Sequence, residues 1–133
     1  MQAGRSGKKY VEIADIEVYK LARQLSGMAW AIFKKLGWQD RKIMGDQFVE
    51  SIDSVGANIA EGYGRYHYPD KVKFYYNARG SLIESCNHWL GILREREKVT
   101  EEDRQKLEAV AKRLSIGLNN FIVATRNAKQ GCE

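Results

Sequence analysis

Apolar residues recur at every third or fourth position through four stretches of the chain. The first runs Val18, Leu21, Ala22, Leu25, Met28, Ala29, Ile32 and Leu36. This spacing places all of them on one face of a helix. With Asp15 as N-cap and Gly37 as terminator, it predicts a helix over residues 15–36. Met44, Phe48, Ile52, Val55 and Ile59 predict a second helix over 40–63. The stretch Gly62-Tyr-Gly-Arg-Tyr-His-Tyr-Pro69 ends it and makes a loop. Phe74, Ala78, Ser81, Leu82, Ser85, Trp89, Ile92 and Leu93 predict a third over 70–98, opening just after Pro69. Leu107, Val110, Ala111, Leu114, Leu118, Phe121, Ile122 and Thr125 predict a fourth over 101–128. Thr100 and Asp103 stand in the relation of a capping box there. Acidic Glu101, Glu102 and Asp103 at its start, and Arg126 and Lys129 at its end, suit the helix dipole. Two-residue alternation is absent, so strands are not expected.

Four long helices with short connections pack most simply as an up-down-up-down four-helix bundle. The expected class is therefore all-α, with residues 15–129 as the bundle. Residues 1–14, with Arg5, Lys8 and Lys9, read as a mobile basic arm, and 130–133 as a tail.

Three of the helices carry more apolar positions than a solitary bundle can hide. Helix 3 adds Tyr76, Ile83 and Leu90 at seven-residue spacing, away from Phe74 and Ile92. Helix 4 adds Ile116 and Val123, and helix 1 adds Tyr19, Trp30 and Phe33. Contiguous patches of this kind mark interfaces. The pattern predicts a homo-oligomer joined through helices 1, 3 and 4. Helix 2, with Asp46, Glu50 and Asp53 off its stripe, is expected to face solvent.

Composition agrees with one soluble domain: 133 residues, 44% hydrophobic and 29% charged, with Pro69 the only proline. The net charge of +5 permits contact with anionic partners. Its distribution sharpens the expectation. Residues 37–64 carry two basic and five acidic groups, whereas residues 65–99 carry seven basic and four acidic. An anionic partner should therefore avoid helix 2. Two cysteines, Cys86 and Cys132, make no disulfide framework and suit a reducing cytoplasm. No apolar run reaches the length of a membrane span, so no membrane association is expected.

Two polar groupings stand out. Asn58 and Glu61 on helix 2 and Ser81 and Glu84 on helix 3 are placed to form a hydrogen-bonded network with Arg65 or Arg79, fixing helix register. Gly56, Gly62 and Gly80 would let the backbones approach. A catalytic reading pairs Glu61 and Glu84 as acid and base, but no nucleophile, phosphate loop or metal cluster accompanies them. His67 and His88 lack metal-ligand company, so neither metal nor cofactor is expected. The second grouping interleaves rings and cations: Tyr63, Arg65, Tyr66, His67, Tyr68, Lys71, Lys73 and Tyr76. Tyrosine rings can stack on bases while Arg and Lys meet phosphates. Arg65, Tyr66, His67, Tyr68, Lys71 and Lys73 are thus the candidate nucleic-acid-binding residues.

Asp15-Ile-Glu-Val-Tyr19, Asn58-Ile-Ala-Glu-Gly-Tyr-Gly-Arg65 and Ala78-Arg-Gly-Ser-Leu-Ile-Glu84 together resemble the signature of the bacterial 23S rRNA-intervening sequence proteins. The resemblance covers about residues 15–125. That family is similar in fold to the accessory variability determinant of diversity-generating retroelements. The resemblance implies a four-helix bundle assembled as a pentameric ring, with nucleic-acid association and no catalysis. For the retroelement branch, to which the match is weaker, it also implies partnership with a reverse transcriptase; the chain departs from the family's pattern by its tyrosine-rich loop and acidic helix 2. By position, Asn58, Glu61, Gly62, Gly64, Arg65, Gly80, Ser81 and Glu84 would be the framework residues.

The expected function is that of a non-enzymatic, oligomeric accessory protein that binds RNA or DNA through a basic, tyrosine-rich surface. The alternative is a protein-interaction scaffold, or a reverse-transcriptase accessory subunit without nucleic-acid binding of its own.

Overall fold

A computed structural model describes residues 11–132, with side chains through residue 128. The described residues form four helical rods and no strand. Rod α1 spans Glu17–Lys34. Rod α2 is continuous from Trp38–Asp40 through a π-helical turn at Arg41–Gly45 into Asp46–Tyr63. Rod α3 joins Tyr68–Ile83, a π-helical turn at Glu84–Trp89, and Leu90–Glu95. Rod α4 is Glu101–Cys132. Among the described residues, no helix is long and apolar enough to cross a membrane.

The rods close into a square. Each of α1 and α3 packs against both α2 and α4. The apolar stripes fill the space between them. Leu25, Ala29, Phe48, Ile52, Val55, Ile59, Ala78, Leu93, Leu107, Leu114 and Leu118 are wholly buried. Burial of such side chains contributes about 1.5–3 kcal/mol each and supplies the main driving force for the fold.

The ends are tied by charge. Arg41 donates through Nε to the Leu36 carbonyl and through Nη2 to that of Lys34, each at 2.9 Å. These are carbonyls that the end of α1 leaves without helical partners. Lys35 meets Asp103 at 2.8 Å and Lys98 meets Asp40 at 2.9 Å. Charged residues on α2 and α4, and on the connections that follow α1 and α3, are thus engaged at this end. The α3–α4 turn is a Schellman motif. The Lys98 amide donates to Leu93 O at 2.8 Å and the Glu97 amide to Arg94 O at 3.0 Å, with Glu97 at φ 58°.

Several expectations need correction. Asp15 does not cap α1. It belongs to a short 3₁₀ turn, Ile13–Asp15, and the extended Ile16 precedes the helix instead. Leu90 is not on an interface face, for it is 1% exposed. The cause is the π-helical turn between Glu84 and Trp89. Such a turn holds one extra residue, which delays the following side chains by one position, or ~100°. Leu90 therefore lands on the face of Leu82 rather than that of Ile83. Of the three glycines expected at close approaches, only Gly62 is at one. A Cβ there would lie 2.7 Å from Tyr75 Cε1 and 3.0 Å from the Lys71 carbonyl oxygen. At Gly56 it would make ordinary contacts, and at Gly80 it would meet nothing within 4 Å. Gly45 is a close approach that its sequence context did not flag, with Leu36 and Phe33 carbons at 3.0 Å from a built Cβ.

Candidate nucleic-acid interface

The corner between α2 and α3 is built from the Asn58–Lys73 stretch. Gly62 lets α3 press on the last turn of α2, and His67, extended, leads into Tyr68 and Pro69. Proline suits this first turn because its missing N–H has no helical partner there anyway.

Most of the corner's cations already have partners. Lys71 Nζ donates to the Tyr63 carbonyl at 2.9 Å and sits 5.4 Å from the Tyr63 ring centroid. It closes the end of α2, where a cation is favoured. Burial pushes its ammonium below the usual lysine range. Arg65 pairs with Glu61 at 2.6 Å and lies 4.7 Å from the centroid of Phe74. Tyr63 donates its hydroxyl to the Val11 carbonyl, which ties the chain before α1 to this corner.

Three groups project outward. Tyr66 is 86% exposed and meets His67 edge to face at 5.1 Å. Lys73 is exposed on the first turns of α3, and Tyr68 is half-buried beside them. The six candidate residues therefore divide. Tyr66, His67 and Lys73 are presented to solvent, Tyr68 is partly so, and Arg65 and Lys71 are engaged by the fold.

The polar network between α2 and α3 does not form as expected. Asn58 Nδ2 donates to Ser54 O at 2.8 Å, Glu61 takes Arg65, and Glu84 accepts from Trp89 Nε1 at 3.0 Å. Each bond is local, between residues four or five apart, and none crosses from α2 to α3. Ser81 is half-buried and joins none of these bonds. Glu61 and Glu84 are both exposed. No group of three metal-capable side chains gathers among the described residues.

A second cationic grouping lies on the α3–α4 face. Arg79 and Arg126 flank Tyr76, with guanidinium carbons 4.7 and 5.3 Å from its ring centroid. Arg126 donates to the Tyr76 hydroxyl, and Arg79 Nη1 to Asn119 Oδ1 at 3.0 Å. The sequence spacing placed Tyr76 at an interface but did not foresee this arginine bracket, because Arg126 lies 50 residues from Tyr76 along the chain. Ile83, Ile116 and Val123 are 54%, 54% and 52% exposed, and Trp30 on α1 is 50% exposed. Tyr19 is half-buried, and Arg23 Nη1 donates to its hydroxyl at 3.1 Å. Cys86 sits in a shallow groove beside Ile83 and Lys112. Burial, opposed by a hydrogen bond with Ser85, pushes its thiol up to about 11.

Comparison with known proteins agrees with this architecture. The family described as 23S rRNA-intervening sequence protein matches residues 14–120. Among solved structures, a protein of unknown function from the S23 ribosomal protein family of Bacteroides thetaiotaomicron VPI-5482 superposes with a TM-score of 0.73. The match covers 80% of this chain and 95% of that one at 21% identity, a likeness of fold. None of the curated proteins matches the chain.

Proposed function

This chain belongs to the 23S rRNA-intervening sequence protein family, and from that premise we propose that it is a non-enzymatic, homo-oligomeric accessory protein that associates with RNA or DNA. The rods alternate in direction, and the assembled form is a closed ring, five copies being the number that the family resemblance implies. The setting is cytoplasmic.

The observation that carries the nucleic-acid reading is Tyr66. A tyrosine 86% exposed at a corner, edge to face with His67 and on the stretch that also carries the exposed Lys73, offers a solvent-facing ring among basic residues. Stacking of a base on such a ring contributes about 1–3 kcal/mol and tolerates any sequence. The +5 net charge supports attraction to a phosphate chain. The family's description names 23S rRNA, so RNA is the first probe.

The test is fluorescence anisotropy of labelled single-stranded RNA and DNA against salt. Micromolar binding is expected, with the logarithm of affinity falling by about 0.7 per phosphate contact for each tenfold rise in salt. Tyr66→Ala should weaken binding about tenfold, and Lys73→Ala should flatten the salt slope by about one contact. Absence of salt-dependent binding to either polymer would sink the reading. A stoichiometric, nuclease-insensitive protein partner found in its place, such as a reverse transcriptase, would favour the scaffold alternative.

A further inference from the structure

Two faces of the bundle stay uncovered within one chain, and they are chemically complementary. Between α1 and α2 lies an open groove of about 700 Å³. Its α1 wall is aromatic: Trp30 stacks on Phe33 with ring centroids 5.0 Å apart. Its α2 wall carries Asp46, Glu50 and Asp53, all exposed. Ser26 donates to Asp53 across the groove and fixes that wall to α1. Arg41 of the same chain already lies 5.0 Å from the Phe33 ring centroid. The exposed Trp30 ring beside three carboxylates suits a further guanidinium or ammonium on an apolar stem, through cation–π attraction and ion pairing. The same carboxylates repel a phosphate.

The α3–α4 face lies across the bundle, since α3 packs on α2 and α4 on α1. It has the opposite character. Lys112 and Arg126 are exposed there, with Arg126 resting on Tyr76 and the exposed Glu108 the one carboxylate in the groove that Lys112 lines, beside the half-exposed aliphatic side chains Ile83, Ile116 and Val123. Cations with apolar neighbours are what the groove fits. Water-exposed apolar groups of this number are also costly to leave uncovered.

We propose that the α1–α2 groove of one copy receives the α3–α4 face of a second copy, so that Lys112 and Arg126 meet Asp46, Glu50 and Asp53 against the Trp30–Phe33 platform. The proposal rests on the self-association in the reading above and names its surfaces. It also brings the acidic flank of α2 into the interface, where the sequence pattern had left it to solvent. Because the two surfaces differ and lie on opposite sides, the contact is head to tail and repeats until a ring closes. The α2–α3 corner with Tyr66 stays outside the contact.

Light scattering on two charge-reversed variants tests this. One carries Asp46→Lys and Glu50→Lys; the other carries Lys112→Glu and Arg126→Glu. All four sites are exposed, and circular dichroism should confirm unchanged helicity. The wild type is expected at a multiple of 15.2 kDa and each variant alone at 15.2 kDa. An equimolar mixture of the two should re-associate into particles heavier than 15.2 kDa that contain both chains, since each supplies the face that the other lacks. A mixture that stays at 15.2 kDa overturns the pairing. So does wild-type mass retained by the Lys112/Arg126 variant while the carboxylate variant dissociates, which would place another basic occupant in the groove, such as residues 1–10 or a foreign protein. If both variants keep wild-type mass, the pairing is overturned: the copies meet elsewhere and self-association itself survives. A wild type that is monomeric removes both the pairing and the self-association beneath it.

Discussion

A Cβ on Gly62 would come to 2.7 Å from Tyr75 Cε1, so the last turn of α2 and the early turns of α3 touch through a missing side chain. Tyr75 is 1% exposed and packs on Phe121 of α4 with ring centroids 4.9 Å apart. The Lys71 carbonyl and Phe74 Cβ crowd the same point from 3.0 Å. The ring has no room to retreat, and backbone atoms cannot give way cheaply. The glycine of the Asn58-Ile-Ala-Glu-Gly62 motif is therefore a packing requirement.

Gly62→Ala should destabilise the protein by about 1–3 kcal/mol, the usual cost of overpacking. Gly80→Ala should do the reverse, by about 0.5–1 kcal/mol, because its Cβ enters open space within a helix. Urea unfolding at low protein concentration measures both. Equal effects at the two sites would show that the contact at Gly62 is not tight.

Leu90 and Ile83 offer a test of the π-helical turn. Leu90→Ala should cost about 2–5 kcal/mol as a core truncation. Ile83→Ala, at an exposed site, should stay within about 0.5 kcal/mol of wild type when measured on the dissociated chain. A straight α-helix through Glu84–Trp89 would leave Leu90 on the face of Ile83, and both changes would then be mild.

Glu97 holds the left-handed position of a Schellman turn, where a side chain is strained. Glu97→Gly should raise stability by about 0.5–1 kcal/mol. Glu97→Val should lower it by about 1 kcal/mol or more. Thermal midpoints of the two variants, moving in opposite directions from wild type, check this.

Alkaline pH should weaken the fold in a defined window. Burial raises the Cys86 thiol from 9.0 to about 11, and burial with the nearby Tyr63 raises Tyr75 from 10.0 to about 12. In each case the unfolded chain loses its proton first, so the native state binds more protons between the two values. These two groups should therefore leave stability unchanged below about pH 9 and lower it from there toward pH 12. Cys86→Ala should flatten the fall between pH 9 and 11. In a Cys132→Ser background, alkylation of native Cys86 at pH 8 should run about a hundredfold slower than that of a free thiol, since only the thiolate reacts. Rapid alkylation without unfolding would contradict the buried setting.

The corner at α2–α3 divides what local residue patterns carry from what they do not. The density of tyrosine and basic side chains between Tyr63 and Tyr76 is enough by itself to mark a candidate site. Which of them point outward is not legible in that pattern. Lys71 and Arg65 look like free cations along the chain, yet one closes a helix end and the other pairs with Glu61. The second arginine on Tyr76, Arg126, lies on α4, beyond the range of any local pattern.

Four rods, their buried stripes and their breaks at glycine and proline follow from the chain alone. These depend on a 3.6-residue period and on local backbone preferences, which neighbours along the chain already express. The fate of Leu90, the need for Gly62, and the opposition of an acidic groove to a cationic face were decided only by tertiary packing. One extra residue in a helical turn, or one rod pressed against another, changes what a side chain meets without altering the pattern in which it is written.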